Sequence, residues 1–207
     1  MNHLKRIMTK NKYLISVIFF LTLSLLVIVR NILGKNYSDF IWFCDFVPFL
    51  LLIGFLFKDE QFIKGLINIG LFSQIVSFIL LFCAVFLGIN ILEFANILKY
   101  SGFHIFVSLV LHAFSVNVAL LLTYKEKPTK KSLFYSLLVL LIMLIITVIF
   151  TSQSENINYV YDLNFFNIVV PYHPFFWIAL AFIIVVLPTY GIQLLIYSFT
   201  KKKTRIS

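Results

Sequence analysis

"GFHIFVSLVLHAFSVNVALLLT", residues 102–123, contains no Lys, Arg, Asp or Glu. As a helix rising 1.5 Å per residue it would be about 33 Å long, enough to cross a hydrocarbon core of about 30 Å. Polar and basic segments bound it: "KYS" before and "YKEKPTKK" after. Working outward, five further apolar runs follow the same plan, at Tyr13–Val29, Phe40–Phe57, Gly65–Leu92, Ser132–Phe150 and Pro174–Phe199. Each approaches or exceeds the roughly 17–25 residues that a membrane-spanning helix needs.

Composition agrees. The 207-residue chain is 61% hydrophobic and 12% charged, with mean hydropathy +1.01. A soluble domain carries about 45–50% apolar and about 25% charged residues, so this chain has too few charges to cover a water-facing surface. A β-barrel is disfavoured because its strands alternate over about 10 residues, whereas these runs are continuous. The expectation is an all-α polytopic membrane protein with six transmembrane helices in one domain, residues 1–207. No Pro/Gly/Ser-rich linker or internal repeat divides it. The first run follows basic residues as a signal peptide would. It lacks a small-residue A-x-A site and leads into more spans, so it reads as a retained helix. Pro188, inside the sixth run, is expected to kink that helix.

Charge sets an orientation. Fourteen Lys and Arg fall in the N-terminal tail, the second and fourth loops and the C-terminal tail; only Arg30, Lys35 and Lys99 fall on the other side. The positive-inside rule then puts both termini in the cytoplasm of a multi-pass cell-membrane protein. It also accounts for the net charge of +9 without a nucleic-acid partner. Membrane lipids are the expected partners.

This topology sorts the reactive residues by depth. "IWFCDFVPF", residues 41–49, sets Cys44 beside Asp45 at the outer end of the second helix. His104 opens the fourth helix, and His112 lies about 12 Å farther in. Asn90, Glu93, Asn158, Tyr159, Asp162 and His173 also belong to the outer half. The inner half offers mainly basic residues, Gln193 and a few hydroxyls. Ionisable groups in spans mark functional candidates because hydrocarbon is a costly place to leave them.

A thiol and an imidazole can act as nucleophile and general base. Depth alone leaves two pairings open, Cys44 with His112 and Cys44 with His104. Asp45 could orient an imidazole or bond the backbone near the helix start, and it joins His104 as a substrate-binding candidate. Adjacent residues diverge by about 100° on a helix, so Asp45 and Cys44 need not share a site. Each residue also has a plainer role: packing for Cys44, interfacial placement for His104 and His173, an interhelical hydrogen bond for His112. His104, His112, His173 and Asp45 match no compact zinc motif, and no Walker, dinucleotide or G-x-S-x-G pattern occurs. Neither a metal nor a cofactor is expected.

Three anchors, "FCDF" in the second run, "LVLHAF" in the fourth and "NINYVYD" after the fifth, together with "KEKPTKKSLFYS", resemble the bacterial YwaF-like integral membrane family. That family is related to a eukaryotic six-helix transmembrane phospholipid acyltransferase. The resemblance extends from about Leu14 to Phe199. It implies Cys44 as acyl-accepting nucleophile and His112 as base and then acid. It implies lipid-positioning roles for Asn158 and Tyr159. Trp42 stands where family members often carry a histidine. The expected function is therefore lipid acyl transfer in the outer half of the membrane. The alternatives are a non-catalytic subunit of another membrane protein and, third, a small transporter, which would need a polar path reaching both faces.

Overall fold

The computed structural model describes residues 2–35, 37–89, 100–161 and 173–206. Asn90, Glu93 and Asp162 therefore lie outside the described residues. The described residues are helical, with no strand among them: α1 (Asn2–Gly34), a 3-10 turn (Tyr37–Ile41), α2 (Phe43–Leu56), α3 (Glu60–Phe86), α4 (Gly102–Thr123), α5 (Lys130–Phe150), α6 (His173–Ala181) and α7 (Leu187–Ile206). A π-helical turn, Phe182–Val186, joins α6 and α7 into one rod. The described residues thus form six helical rods, and five of these are long and apolar enough to cross a membrane. The sixth, α2, has 14 residues, about 21 Å, and the 3-10 turn precedes it.

The surface is inverted relative to a water-soluble bundle. Along α1, Leu14, Ile18, Leu21, Leu25, Val29 and Ile32 are exposed. Their spacing of three and four residues makes a continuous apolar stripe. The same helix buries Ser16, Ser24, Arg30 and Asn31. Polar groups hidden and hydrocarbon displayed is the arrangement a bilayer requires.

Helix α3 is the centre of the bundle, packing against α2, α4, α5 and the sixth rod. Nine consecutive residues, Ile63–Leu71, are all buried, as expected of a helix covered on every side. Glycines permit this. A Cβ on Gly65 would lie 2.9 Å from the Ser132 carbonyl oxygen, and one on Gly70 would lie 2.7 Å from Val116 Cγ2 and 3.0 Å from the Phe43 ring. Gly70 thereby brings the start of α2 against the middle of α3.

The start of α3 lies earlier than the apolar run predicts. Asp59 caps it, accepting from the Gln61 and Phe62 N–H groups, and the helix begins at Glu60 instead of Gly65. A capping carboxylate and first-turn Glu60 stabilise the exposed N–H groups. Lys64, counted as a loop charge, is therefore a buried residue of α3. The end of the bundle around Lys64, expected to offer mainly basic residues, is also more polar than expected. Gln193 Nε2 donates to Asn68 Oδ1 at 2.6 Å and to the Lys64 carbonyl at 3.2 Å, and Asn68 Nδ2 donates to Ser136 Oγ at 3.2 Å. At the same end, Lys12 and the Tyr13 hydroxyl hold Glu60 at 2.7 and 2.6 Å.

At Pro188, where a kink was expected, the helix changes its hydrogen-bond register. Proline has no N–H and its ring crowds the carbonyl four residues back. The turn just before it widens to a π-helix, with Leu187 N–H donating to Phe182 O.

Candidate functional site

Cys44 and Asp45 are consecutive in the first turn of α2, and their side chains go to different places. Asp45 is 1% exposed. It forms a salt bridge with Arg30 of α1 and accepts from Asn31 Nδ2 at 2.9 Å. Arg30 also donates through Nε and Nη2 to Asn31 Oδ1, at 2.9 and 2.8 Å, and through Nη1 to Ser108 Oγ at 3.0 Å. The cluster ties α1, α2 and α4 together, and each charge has a partner. Arg30 was counted as a loop cation because the first apolar run stops at Val29. The helix continues to Gly34, so Arg30 is inside the bundle. The sequence signal for this pair was a single carboxylate inside one apolar run and a single cation just past the end of another.

Cys44 faces the other way, into a cavity of about 290 Å³. His112, Gln74, Trp42, Asn158, Tyr159, His173 and Trp177 share its wall with apolar residues of α3, α5, α6 and the π-helical turn. Cys44 and His112 are both half-buried, and both line the cavity. At rest the Cys44 thiol donates to Asp45 Oδ1 at 3.7 Å. Neither Asp45 nor His104 lines the cavity. His104 stacks on Tyr100, centroids 4.3 Å apart and planes 11° from parallel, and its N–H is bonded to the Ser101 cap at 3.3 Å. Of the two histidines in α4, the one that shares the cavity wall with the thiol is His112.

Asn158 has a definite local task. The N-cap residue of α2, Trp42, makes no side-chain capping bond. Asn158 does so from a distant loop: its Oδ1 accepts from Phe43 N–H at 2.8 Å, while Nδ2 donates to the Ile41 carbonyl at 2.9 Å and to Thr147 Oγ1 at 3.3 Å. A helix start leaves N–H groups without partners, and here a remote asparagine satisfies one of them next to Cys44. With its amide committed in this way, Asn158 acts on Cys44 as a positioning residue.

The loop itself is held by the sixth rod. Trp177 Nε1 donates to the Asn158 carbonyl at 3.0 Å, and His173 Nδ1 is 2.9 Å from the Val160 carbonyl. Asn156, Asn158 and Tyr159 all have positive φ, between 43° and 55°. Asparagine tolerates this conformation, but for tyrosine it costs roughly 1–2 kcal/mol. The tight turn that results lays the Tyr159 ring edge-on to Trp42 at 5.6 Å. Burial, with the Cys44 sulfur nearby, pushes the Tyr159 phenol up from its ordinary value, so it stays neutral at physiological pH.

Sequence reasoning missed Gln74 and Trp177 as cavity residues, and it weighed His173 as an interfacial residue or a metal ligand without giving it a place in the site. Gln74 Oε1 accepts from Ser115 Oγ and from Val116 N–H. Among the described residues no group of three or more His, Cys, Asp or Glu is placed to hold a metal ion. No family model, curated protein or solved structure matches the chain.

Proposed function

We propose that this is a membrane-embedded lipid acyltransferase of the YwaF-like type, with Cys44 as nucleophile and His112 as general base. The supporting observation is that Cys44 and His112, drawn from separate helices, line one largely apolar cavity. An apolar chamber suits an acyl chain, and a thiol with an imidazole in its wall suits transfer of that chain.

The chemistry runs in two halves. On substrate entry the thiol gives its proton to His112 and the sulfur adds to the ester carbonyl. Collapse breaks the C–O bond, and the departing alcohol takes the proton back from the imidazolium. The acyl group is then a thioester on Cys44. An acceptor hydroxyl next gives its proton to His112, its oxygen attacks the thioester, the C–S bond breaks, and the thiolate regains its proton. Asn158 supports both halves by fixing the start of α2.

The same reading sets the protein in the cell membrane with both termini in the cytoplasm. Removing the buried cations Arg30 and Lys64 from the charge count leaves 13 against 2, which strengthens the positive-inside bias. The cavity then belongs to the outer half.

One observation favours a second reading, a small permease: the buried polar groups of the inner half. From Asn68 to Gln74 is about 9 Å along α3. Ile69 and Leu71 are buried in that interval, and Gly70 is closed by Val116. The polar path is interrupted, so acyl transfer is the better reading. Purified protein with defined phospholipids and a lysolipid acceptor tests it. Acyl exchange should be lost in Cys44→Ser and in His112→Ala. Full exchange in both variants would eliminate the mechanism, and a stably co-purifying membrane protein without any exchange would favour the accessory-subunit alternative.

A further inference from the structure

Among the polar side chains of the cavity wall that have no task in this mechanism, His173 and Gln74 carry buried atoms without a partner. His173 is 2% exposed. Its Nδ1 lies against the Val160 carbonyl, and a carbonyl only accepts, so Nδ1 carries the proton. Nε2 is then a fixed lone pair, buried and without a partner. Gln74 is 1% exposed. The Val116 N–H, whose direction the backbone sets, is bonded to the Gln74 oxygen and so fixes the amide's orientation. Its Nε2 is left as a buried donor without a partner. Unmet hydrogen-bonding groups are costly in a low-dielectric interior. One is an acceptor on α6 and the other a donor on α3, and both residues line one apolar cavity.

We infer that the cavity binds an uncharged, single-chain ester lipid with two free hydroxyls, of the monoacylglycerol class. One hydroxyl donates to His173 Nε2, the ester carbonyl accepts from Gln74 Nε2, and the second hydroxyl is the one that gives its proton to His112. No Lys, Arg, Asp or Glu lines the wall, so nothing there compensates a phosphate or a carboxylate. The nearest charge pair, Arg30 with Asp45, is already closed on itself. A volume of about 290 Å³ is at the lower end of ordinary ligand pockets, roughly 300–1,000 Å³, and suits one chain. The inference rests on the cavity being the lipid site, and it names the neutral hydroxyl compound as the acyl acceptor.

The chain has two tryptophans, Trp42 and Trp177, and both line the cavity. Tryptophan emission of the full-length protein in detergent therefore reports occupancy. Three probes of equal chain length, each brominated on the chain, are compared: a monoacylglycerol, a fatty acid at pH 8 and an alkane. The monoacylglycerol should quench saturably and at least about tenfold more tightly than either of the others. Gln74→Leu and His173→Phe should each weaken it about tenfold and leave alkane quenching unchanged, which also shows the cavity intact. Should His173→Phe fail to fold, Gln74→Leu and the wild-type ranking of the three probes decide alone. Equal quenching by all three probes, or unchanged discrimination in Gln74→Leu, would overturn the inference. Monoacylglycerol binding with no acyl exchange from any donor would remove the transferase and leave this site standing. Exchange without monoacylglycerol preference would do the reverse.

Discussion

Cys44 and Asp45 are neighbours in sequence and belong to two opposite kinds of interior. The Asp45 side of α2 is closed: a carboxylate, a guanidinium, an amide and a hydroxyl from three helices bond to one another. The Cys44 side is open: a thiol, two imidazoles and an amide line a cavity, and His112 Nδ1, His173 Nε2 and Gln74 Nε2 are buried without a partner, while the thiol's one bond runs back to Asp45. A closed polar cluster fixes which helices meet and in what register. An open one keeps hydrogen-bonding capacity for something that arrives later. The short helix α2 serves both because successive residues diverge by about 100°.

The largest effect should come from breaking the closed side. Asp45→Ala leaves Arg30 buried without its counter-charge, a loss of about 3–5 kcal/mol in unfolding free energy measured by denaturant titration in detergent. Replacing both residues, Arg30→Met with Asp45→Leu, should recover most of it. Cys44→Ala on the open side should cost under about 1 kcal/mol, since it removes one atom from a cavity wall. Equal losses for Asp45→Ala and Cys44→Ala would end the distinction between the two sides.

Next in size is the loop that joins them. Asn158→Ala removes a helix cap and should cost about 1–2 kcal/mol, with a clear change in the rate of Cys44 alkylation. Asn158→Asp keeps an acceptor for the Phe43 N–H and should restore part of the stability. An alkylation rate identical to wild type in Asn158→Ala would separate the loop from the thiol.

The smallest effect is at the basic end, remote from both. Burial alone would raise the Asp59 carboxyl, but bonds from the Tyr135 hydroxyl, the Phe62 N–H and Lys131 outweigh it and hold it below its ordinary value. A carboxyl lowered on folding stabilises the protein above its unfolded value and loses that contribution as pH falls through the folded one. Melting temperature should therefore drop modestly below about pH 4, and Asp59→Asn should flatten that part of the profile. A steeper drop in Asp59→Asn would contradict the capping role.

These contrasts also mark what sequence could carry. Hydropathy located all six rods, and for α4 it matched both ends, because Ser101 and the polar segment after Thr123 bound an uninterrupted run. It stopped one residue short of Arg30 and began α3 after Lys64, because a window that ends at the first charge cannot distinguish a charge in solvent from one buried beside a partner. Cys44 and His112 were legible as unusual residues in spans, and their shared cavity depends on helix rotation and on Gly70, which periodicity does not supply. The role of Asn158 as a cap for α2 was illegible, since 115 residues separate it from Phe43. His173 looked interfacial because its partner, the Val160 carbonyl, is a backbone atom.

The central claim is that the open side of α2 carries out thiol chemistry on a lipid chain. Intact mass of the purified protein after incubation with phospholipid vesicles tests it most directly. The account predicts a single acyl adduct on Cys44, removable by neutral hydroxylamine, absent in Cys44→Ser and strongly reduced in His112→Ala. An unmodified Cys44 under conditions where acyl exchange proceeds would contradict it.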